Sequence, residues 1–316
     1  MKASYITAYG GKEVIGYGDL QDPEVKDNEV IVRVKAVSIN PLDYKIRSGA
    51  LKFIAPSKFP RILGSDFSGV VENTGNGVIS FKPGDKVYGA TPVMFGKPGA
   101  LAALVAVDPA GLRIMPDGIN FEEAASLPVG ALTALSGLRK GNAGPGKKVL
   151  VNGAAGGVGH FAVQIAKAKG SLVTASCSSK NADFVRSLGA DSVTGYSDAE
   201  LQALDQKFDI ILDAYGKMKV ATARRLLVKN GVYASTLFLA HKAIRKFIEK
   251  VFFGKTFTSS SMRGLPGDYD DLEKMVKEKK VKPFIDRVFD LKDTAEAFDY
   301  AENSHPRGKV IVSVKS

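Results

Sequence analysis

The sequence contains no tryptophan and a single cysteine among its 316 residues. One thiol cannot form an intrachain disulfide, and it cannot supply the thiolates of a four-cysteine zinc site. We predict that Cys177 is a small buried residue at a strand end, with a reactive thiol as the alternative. The chain has only three histidines. These counts leave little thiolate or imidazole chemistry for a metal site.

Long apolar segments are also absent. The longest apolar run, residues 100–107, has about half the length that a membrane-spanning helix needs. The N-terminal sequence MKASYITAYGGKEV has no apolar signal core, so we expect a cytoplasmic protein. A net charge of +11 is accompanied by no zinc-finger, RNP or basic-helix pattern. We therefore expect no nucleic-acid partner and assign the charge to solubility and a polyanionic cofactor.

A glycine-rich segment, KVLVNGAAGGVGHFAVQIAKAKG at 148–170, carries the strongest local signal. The apolar run 149–151 predicts a buried strand, and apolar residues over 158–165 recur at helical spacing. The glycines between them predict a tight turn that lets the backbone approach a pyrophosphate at a helix N-terminus. A tight turn in another kind of α/β protein is the alternative. The residues assigned to this contact are Asn152, Gly153, Ala155, Gly156, Gly157, Val158 and Gly159.

The two halves of the chain have different patterns. Residues 1–120 combine short alternating strands with dense glycine, proline and asparagine turn signals, which predicts a small, partly open β-barrel. From Phe121 onward, apolar strands alternate with helices, which predicts a doubly wound parallel sheet. The segment 121–138 is expected to form helical pieces interrupted at Pro128. The apolar segment 308–314 is predicted to be a strand that returns to the first domain.

The residues after the second predicted strand, 172–176, indicate which nicotinamide cofactor is used. NAD enzymes usually have an acidic residue here, but no Asp or Glu occurs between Gly159 and Asp183. Two hydroxyls, a lysine and an amide can bind a 2′-phosphate, so the sequence favours NADPH. Helix capping by the serines is a compatible alternative. The residues assigned here are Cys177, Ser178, Ser179, Lys180 and Asn181.

Motifs along the whole chain match one known family in its order. They are SINPLDYKIRSG at 38–49, RILGSDFSGVV at 61–71, FKPGDKVYG at 81–89, SLPVGALTAL at 126–135, VNGAAGGVGHFAVQIAK at 151–167, RSLGAD at 186–191 and RGKVIV at 307–312. Together they resemble the zinc-independent, quinone oxidoreductase branch of the medium-chain dehydrogenase/reductase superfamily. The segment TASCSSKNADFVRSLGAD is most similar to chloroplast-envelope quinone oxidoreductase homologues and related enone reductases.

The resemblance implies a catalytic domain that is split in sequence. A GroES-like, partly open β-barrel would comprise residues 1–122 and 281–316. An NADPH-binding Rossmann domain, a doubly wound parallel sheet over 123–280, would be inserted, with the active site in the cleft between them. The implied activity is hydride transfer from NADPH to a quinone or to the β-carbon of an α,β-unsaturated carbonyl.

The resemblance also shows where a metal would bind. Zinc enzymes of the superfamily have a cysteine in the first motif and a His-Glu pair in the second. This sequence has Asn40 and Ser65-Asp66 at those positions, and its histidines fall at none of them. We therefore predict no metal ligand, and an activity that needs no Lewis acid.

Further residues receive roles by resemblance. Asn40 would lie beside the nicotinamide and donate to a developing enolate, and Tyr44 would supply a proton or a hydrogen bond. The alternatives are that Asn40 only fixes a turn and Tyr44 only lines the pocket. For Tyr196 the alternative is an aromatic residue at a strand end without a ligand. For Arg307 and Lys309 it is an exposed pair that flanks the last strand. The cofactor contacts assigned by resemblance are Tyr196, Arg307 and Lys309. Ala214 and Tyr215 are assigned because the segment 213–216 follows a predicted parallel strand, so its backbone is expected to border the nicotinamide ribose.

The expected partners are a small electrophilic substrate and a second copy of the chain. Relatives often dimerise through the Rossmann sheet edge, for which 256–260 is the candidate here. A basic amphipathic helix is predicted over 241–253, and we interpret it as a helix against the sheet rather than on a membrane. Two other functions stay open. One is an enoyl-thioester reductase for CoA or carrier-protein substrates, and the other a non-enzymatic NADPH-binding or membrane-peripheral protein.

Overall fold

The computed structural model describes residues 1–237, 250, 251, 253–262 and 267–315. The chain divides into two compact units, one of Met1–Val129 with Phe284–Ser316 and the other of Gly130–Pro283. The boundaries expected from the sequence, after residues 122 and 280, lie a few residues before these. The helix predicted over 241–253 lies almost entirely outside the described residues. No described helix is both long and apolar enough to cross a bilayer.

Strands dominate the first unit and alternate with helices in the second. The strands are β1 (Lys2–Ile6), β2 (Ile15–Asp19), β3 (Val30–Ile39), β4 (Arg61–Ile62), β5 (Asp66–Thr74), β6 (Lys86–Ala90), β7 (Leu104–Val107), β8 (Leu112–Ile114), β9 (Lys148–Asn152), β10 (Leu172–Ser176), β11 (Ser192–Thr194), β12 (Phe208–Asp213), β13 (Leu227–Ser235), β14 (Thr256–Ser259), β15 (Ile285–Asp290) and β16 (Lys309–Ser313).

The α-helices are α1 (Pro41–Arg47), α2 (Phe121–Lys140), α3 (Gly159–Ala168), α4 (Ala182–Ser187), α5 (Asp198–Gln202), α6 (Val220–Leu226), α7 (Asp268–Lys277) and α8 (Thr294–Asn303). Short 3-10 turns lie at Lys12–Val14, Val93–Phe95, Pro109–Gly111, Ser179–Asn181 and Leu291–Asp293.

The main sheet of the first unit has the order β15-β16-β3-β5-β6-β8, and a smaller sheet has the order β2-β1-β4. The long strand β3 pairs with β5 along one edge, and β16 and β7 share its other edge. The valines of β3 at positions 30, 32, 34 and 37 are buried in the core of this unit. The main sheet ends in β15 and β8, in agreement with the predicted partly open barrel. The prediction that the last strand returns to this domain is confirmed by its pairing with β3.

The second unit contains an entirely parallel sheet with the order β11-β10-β9-β12-β13-β14. The chain adds strands outward from β9 to β11 and then crosses back to add β12 to β14 on the other side. The carboxyl ends of β9 and β12 are therefore neighbours at the switch point, where ligands bind in sheets of this kind. The predicted doubly wound α/β fold is confirmed.

The predicted interruption at Pro128 is wrong, because α2 runs through this proline. A proline inside a helix removes one backbone hydrogen bond and usually bends the helix. Here the next N–H, that of Val129, lies 3.1 Å from both carboxylate oxygens of Asp66 and donates to them. A side chain of β5 thus supplies an acceptor beside the proline.

Candidate functional site

The glycine turn after β9 is a tight connection into α3. Gly153 has a φ of +78°, a conformation that favours glycine. Its N–H and that of Ala154 donate to the carbonyl oxygen of Ser176 at 3.1 and 3.0 Å. A Cβ on Gly159 would lie 2.1 Å from the carbonyl oxygen of Gly153. This close approach of helix and turn therefore requires glycine at position 159.

The N-terminus of α3 offers unused hydrogen-bond donors. The backbone N–H groups of Gly157, Val158 and Gly159 have no acceptor in the part of the chain that the structure describes. Since α3 has ten residues, its macrodipole adds partial positive charge at this end. Ala155 is buried and Gly156 half-buried in the same turn. A pyrophosphate suits such a position.

Asp213 joins the carboxyl ends of the central strands and is fully buried. Its Oδ1 accepts hydrogen bonds from Asn152 Nδ2 at 2.7 Å and from the Gly216 N–H at 2.8 Å. Its Oδ2 accepts from the Tyr233 hydroxyl at 2.7 Å and from a backbone N–H of the following loop. Asn152 in turn accepts from the Ser176 hydroxyl at 2.6 Å. Asn152, assigned to the cofactor, therefore holds β9, β10 and β12 together with its side chain.

In the segment after β10, two hydroxyls have no partner among the residues that the structure describes. Neither Ser178 nor Ser179 makes a side-chain hydrogen bond within the described residues, and Ser178 does not cap the 3-10 turn that follows it. Lys180 is exposed and Asn181 is buried. Cys177 is buried as predicted, and burial raises the pKa of its thiol. The alternative of helix capping thus finds no support in the geometry.

The nearest acid after β10 lies away from the strand end. Asp183 is on α4, fully exposed, and pairs with Arg186 at 2.9 Å. Tyr196 and Tyr215 expose 55% and 48% of their surfaces, so both rings are accessible to a ligand. The N–H of Ala214 is occupied by a hydrogen bond to the Asn152 carbonyl oxygen.

In the first unit, Asn40 and Lys309 meet in a buried polar cluster. The Lys309 ammonium donates to the Asn40 side-chain oxygen at 2.7 Å and lies 3.7 Å from Asp66. The Asn40 amide nitrogen lies 3.1 Å from the Ser38 carbonyl oxygen, 3.1 Å from the Ser65 hydroxyl and 3.0 Å from Asp66. Lys309 exposes 3% of its surface, so the interpretation of an exposed basic pair is wrong for it.

Asp43 completes this cluster at the start of α1. Its carboxylate accepts from the backbone N–H groups of Asn40, Gly64 and Ser65, at 2.8, 3.2 and 3.1 Å. These bonds fix the first turn of α1 against the loop before β5. The sequence assigned no role to the side chain of Asp43 or Asp213. Both lie inside segments that it did single out, one in SINPLDY and one at the end of a predicted strand.

Burial is the main cause of the shifted pKa values in this cluster. Burial raises the pKa of Asp66 to about 7, although Lys309 opposes the shift. Burial also raises the pKa of Asp43 to about 6, against the hydrogen bonds that it accepts. The pKa of Lys309 is lowered by burial, while both aspartates act to raise it. An ammonium and two carboxyl groups thus share one low-dielectric site.

Tyr44 and Arg307 lie close in sequence to members of this cluster. Tyr44 is on α1 and packs partly against the barrel core. Burial raises the pKa of its phenol, and Glu302 adds to the shift, so Tyr44 is a weaker acid than a free tyrosine. Arg307 precedes β16 and is half-buried. The catalytic and cofactor roles assigned to these two residues stay predictions.

The residues at the positions of the zinc ligands do not fit a zinc ion. Asn40, Ser65 and Asp66 offer an amide, a hydroxyl and one carboxylate, whereas zinc sites use thiolates, imidazoles and carboxylates. The ammonium of Lys309 is among them and would repel a cation. Across the described ranges, no three His, Cys, Asp or Glu side chains are grouped to hold a metal.

Comparison with known proteins gives consistent matches. Residues 26–117 match the alcohol dehydrogenase GroES-like domain, and residues 188–312 match a family described as zinc-binding dehydrogenase. The mitochondrial NAD(P)H oxidoreductase RTN4IP1 of Bos taurus is 34% identical, over 99% of this chain and 89% of the relative. The chloroplastic NADPH-dependent alkenal/one oxidoreductase of Arabidopsis thaliana is 34% identical, over 99% of this chain and 79% of the relative. The solved quinone oxidoreductase of Coxiella burnetii is 31% identical, with a TM-score of 0.92 over 100% of this chain and 99% of the other.

Proposed function

Since the chain belongs to the medium-chain dehydrogenase/reductase superfamily and is an oxidoreductase, we propose that it reduces quinones or α,β-unsaturated carbonyls with NADPH and without zinc. The observation that carries this proposal is the donor set at Asn40, Ser65 and Asp66, which does not suit a Lewis-acidic metal. Alcohol oxidation then lacks its usual means of deprotonating the alcohol. Hydride transfer to a carbon that is already electrophilic does not need that assistance.

The segment after β10 supports NADPH rather than NADH. The hydroxyls of Ser178 and Ser179 are unused by the described residues, and Lys180 adds a cation. A carboxylate at this strand end would repel a 2′-phosphate, and the first acid is the outward-facing Asp183. One relative is named for NADPH and another for NAD(P)H, which agrees with a nicotinamide cofactor.

The residues of the second unit fit such a cofactor. When bound, NADPH supplies the hydride that an electron-poor carbon accepts. The free N–H groups of Gly157, Val158 and Gly159 bind and orient the pyrophosphate. Asp213 keeps the strand ends beside the turn in register through Asn152 and Tyr233. The serines after β10 hold the 2′-phosphate end.

The direct test is turnover with NADPH. Purified protein treated with a chelator is mixed with NADPH and, in turn, an alkenal, an alkenone and a benzoquinone, and the loss of NADPH absorbance is followed. We expect turnover with at least one substrate, and no gain on adding zinc. Turnover restored only by zinc would refute the zinc-independent part, and no turnover under either condition would refute the whole proposal.

A homodimer and a cytoplasmic location are parts of the same proposal. Strand β14 is an outer strand of the parallel sheet within the described residues, so its free edge can pair with a second copy. The Ser260 N–H donates to Ser235 of β13, so the neighbouring Ser259 N–H faces the other side of β14. Ser259→Pro, which removes that outward donor, should lower the mass measured by light scattering from dimer to monomer. Two relatives have mitochondrial or chloroplastic names, so cell fractionation is the test of location.

A further inference from the structure

We propose that the Lys309 ammonium donates the hydrogen bond that polarises the substrate carbonyl oxygen, and that Asn40 is the positioning residue that holds this ammonium. The inference rests on the proposed reductase function. It replaces the direct donor role that the family resemblance suggests for Asn40. It also gives a role to the Lys309 ammonium, which lies beside Asn40 and Asp66, the residues at the positions of the zinc ligands in zinc enzymes of the superfamily.

The hydrogen bonds of Asn40 leave its amide no free donor. An amide nitrogen carries two N–H groups, and this one faces the Ser38 carbonyl oxygen, the Ser65 hydroxyl and the Asp66 carboxylate within 3.1 Å. Its oxygen is taken by Lys309. An enolate oxygen would have to displace one of these partners to receive a hydrogen bond from it.

Lys309 has the donor that Asn40 lacks. An ammonium carries three N–H groups, of which one donates to Asn40 at 2.7 Å and a second has Asp66 as an ion-pair partner at 3.7 Å. No described residue accepts from the third. Because the ammonium is buried and held by fixed partners, little reorganisation is needed when negative charge develops on a nearby oxygen.

The neighbouring carboxyl groups help to keep Lys309 charged. Burial lowers the pKa of its ammonium, but Asp66 and Asp43 both favour the protonated form. Asp66 is itself fixed by the Val129 N–H beside Pro128. Two buried carboxyl groups therefore stabilise the ammonium of Lys309, and the backbone N–H beside Pro128 holds one of them in place. Their attraction is stronger in this buried site than it would be in water.

In the proposed reaction, Lys309 stabilises charge on the substrate oxygen and is not itself consumed. Bound NADPH would supply the hydride that forms the new C–H bond at the β-carbon of the enone. The C=C electron pair shifts so that the carbonyl oxygen carries the charge of an enolate, and Lys309 hydrogen-bonds to this oxygen without transferring its proton. Water then protonates the α-carbon. The cofactor is oxidised, and the enone is reduced to the saturated ketone.

The test compares Lys309→Met with Lys309→Arg and a matched control. Lys315→Met removes a lysine of the same terminal segment whose side chain is 73% exposed and pairs with Asp290. We expect Lys309→Met to lower kcat for enone reduction roughly 100- to 1000-fold, as loss of one oxyanion donor does. Lys309→Arg should retain part of the rate, and Lys315→Met should match the wild type.

A binding readout separates an electrostatic role from a structural one. The probe is 4-nitrophenol, whose phenolate imitates an enolate oxygen and has its own absorbance. In the NADP⁺ complex, the wild type should lower the pKa of the bound phenol, and Lys309→Met should abolish this shift. Lys309→Met leaves the buried Asp66 without its cation and can therefore prevent folding. The double variant Lys309→Met/Asp66→Asn removes both charges, so the phenol titration can still be made if the single variant does not fold.

The outcomes distinguish this inference from the proposed function. A wild type that reduces no enone or quinone refutes the function, and the phenol titration still shows whether Lys309 stabilises an oxyanion. Normal wild-type turnover with an unchanged Lys309→Met rate refutes the inference alone. So does a variant that loses NADPH affinity while the bound phenol keeps its lowered pKa, because the ammonium then serves the cofactor.

Discussion

The ammonium of Lys309 donates a hydrogen bond to the side-chain oxygen of Asn40 at 2.7 Å, across 269 positions of sequence. This contact links the residue immediately before α1 to the first residue of the last strand. Both residues were assigned separately from the sequence, one to catalysis and one to the cofactor. Their meeting makes a single buried cluster with Asp66 and Asp43.

The cluster predicts a pH dependence of stability. Burial raises the pKa of Asp43 to about 6 and of Asp66 to about 7. A carboxyl group with a raised pKa binds its proton more tightly in the folded state. Its contribution to stability is therefore complete below its ordinary pKa and is lost as the pH rises through about 6 and about 7.

We expect Asp66→Asn to flatten the upper part of this decline. The measurement is the free energy of unfolding in urea at a series of pH values from roughly 4 to 8. Asp117→Asn, at an exposed aspartate, is the control and should follow the wild-type curve. An Asp66→Asn curve parallel to the wild type would contradict the buried-acid explanation.

The glycine turn predicts opposite results at two glycines of one motif. Gly159→Ala places a Cβ against the Gly153 carbonyl oxygen and the Ala154 Cα, and should cost about 1–3 kcal/mol of unfolding free energy. Gly156→Ala meets its nearest atom at 3.6 Å, an ordinary contact, and should be close to neutral. Thermal unfolding of both variants without cofactor measures the difference. Equal losses would mean that the turn is less tightly packed than the distances indicate.

The Asp213 network predicts a large loss from a nearly isosteric change. Asp213→Asn leaves at least one of the four donors to this carboxylate without an acceptor, in a fully buried place. We expect a loss of about 3 kcal/mol in unfolding free energy and weaker NADPH binding. Asp205→Asn, at an exposed aspartate of the preceding loop, is the matched control. Chemical denaturation with a cofactor titration checks both effects, and a wild-type-like Asp213→Asn would count against the network.

The segment after β10 predicts a change of cofactor preference. Ser178→Asp places a carboxylate where we propose the 2′-phosphate binds, so KM for NADPH should rise by at least about tenfold. KM for NADH should stay the same or fall, since the ribose hydroxyls can donate to a carboxylate. Ser187→Asp, an exposed position on α4, controls for the added charge. Equal changes for both cofactors would place the phosphate elsewhere.

Local patterns were sufficient for most elements of the second unit, although the short helix α5 was not predicted. The strand before the glycine turn and the helix after it follow from apolar periodicity, and the parallel order follows from their alternation. The acid-free segment at 177–181 was visible directly in the sequence. The helix at 41–47 was missed, because a short helix that begins with Asn40 and Pro41 has the signals of a turn.

Contacts between distant residues could not be predicted in this way. No local signal shows that Asp66 accepts from Val129, so the helix was expected to break at Pro128. Likewise, Lys309 in RGKVIV resembles an exposed strand-flanking lysine until the pairing of β16 with β3 places it beside Asn40. Burial and partner identity at these positions are consequences of tertiary pairing.

The discontinuity of the first unit has a consequence for synthesis. Strand β16 leaves the ribosome after all of Gly130–Pro283, yet it pairs with β3 and carries the lysine that the cluster requires. All six described strands of the inserted parallel sheet are synthesised before β16. When synthesis has reached residue 283, the nascent chain therefore contains Asp43 and Asp66, which are buried in the folded protein. It does not yet contain Lys309, the cation that lies beside them there.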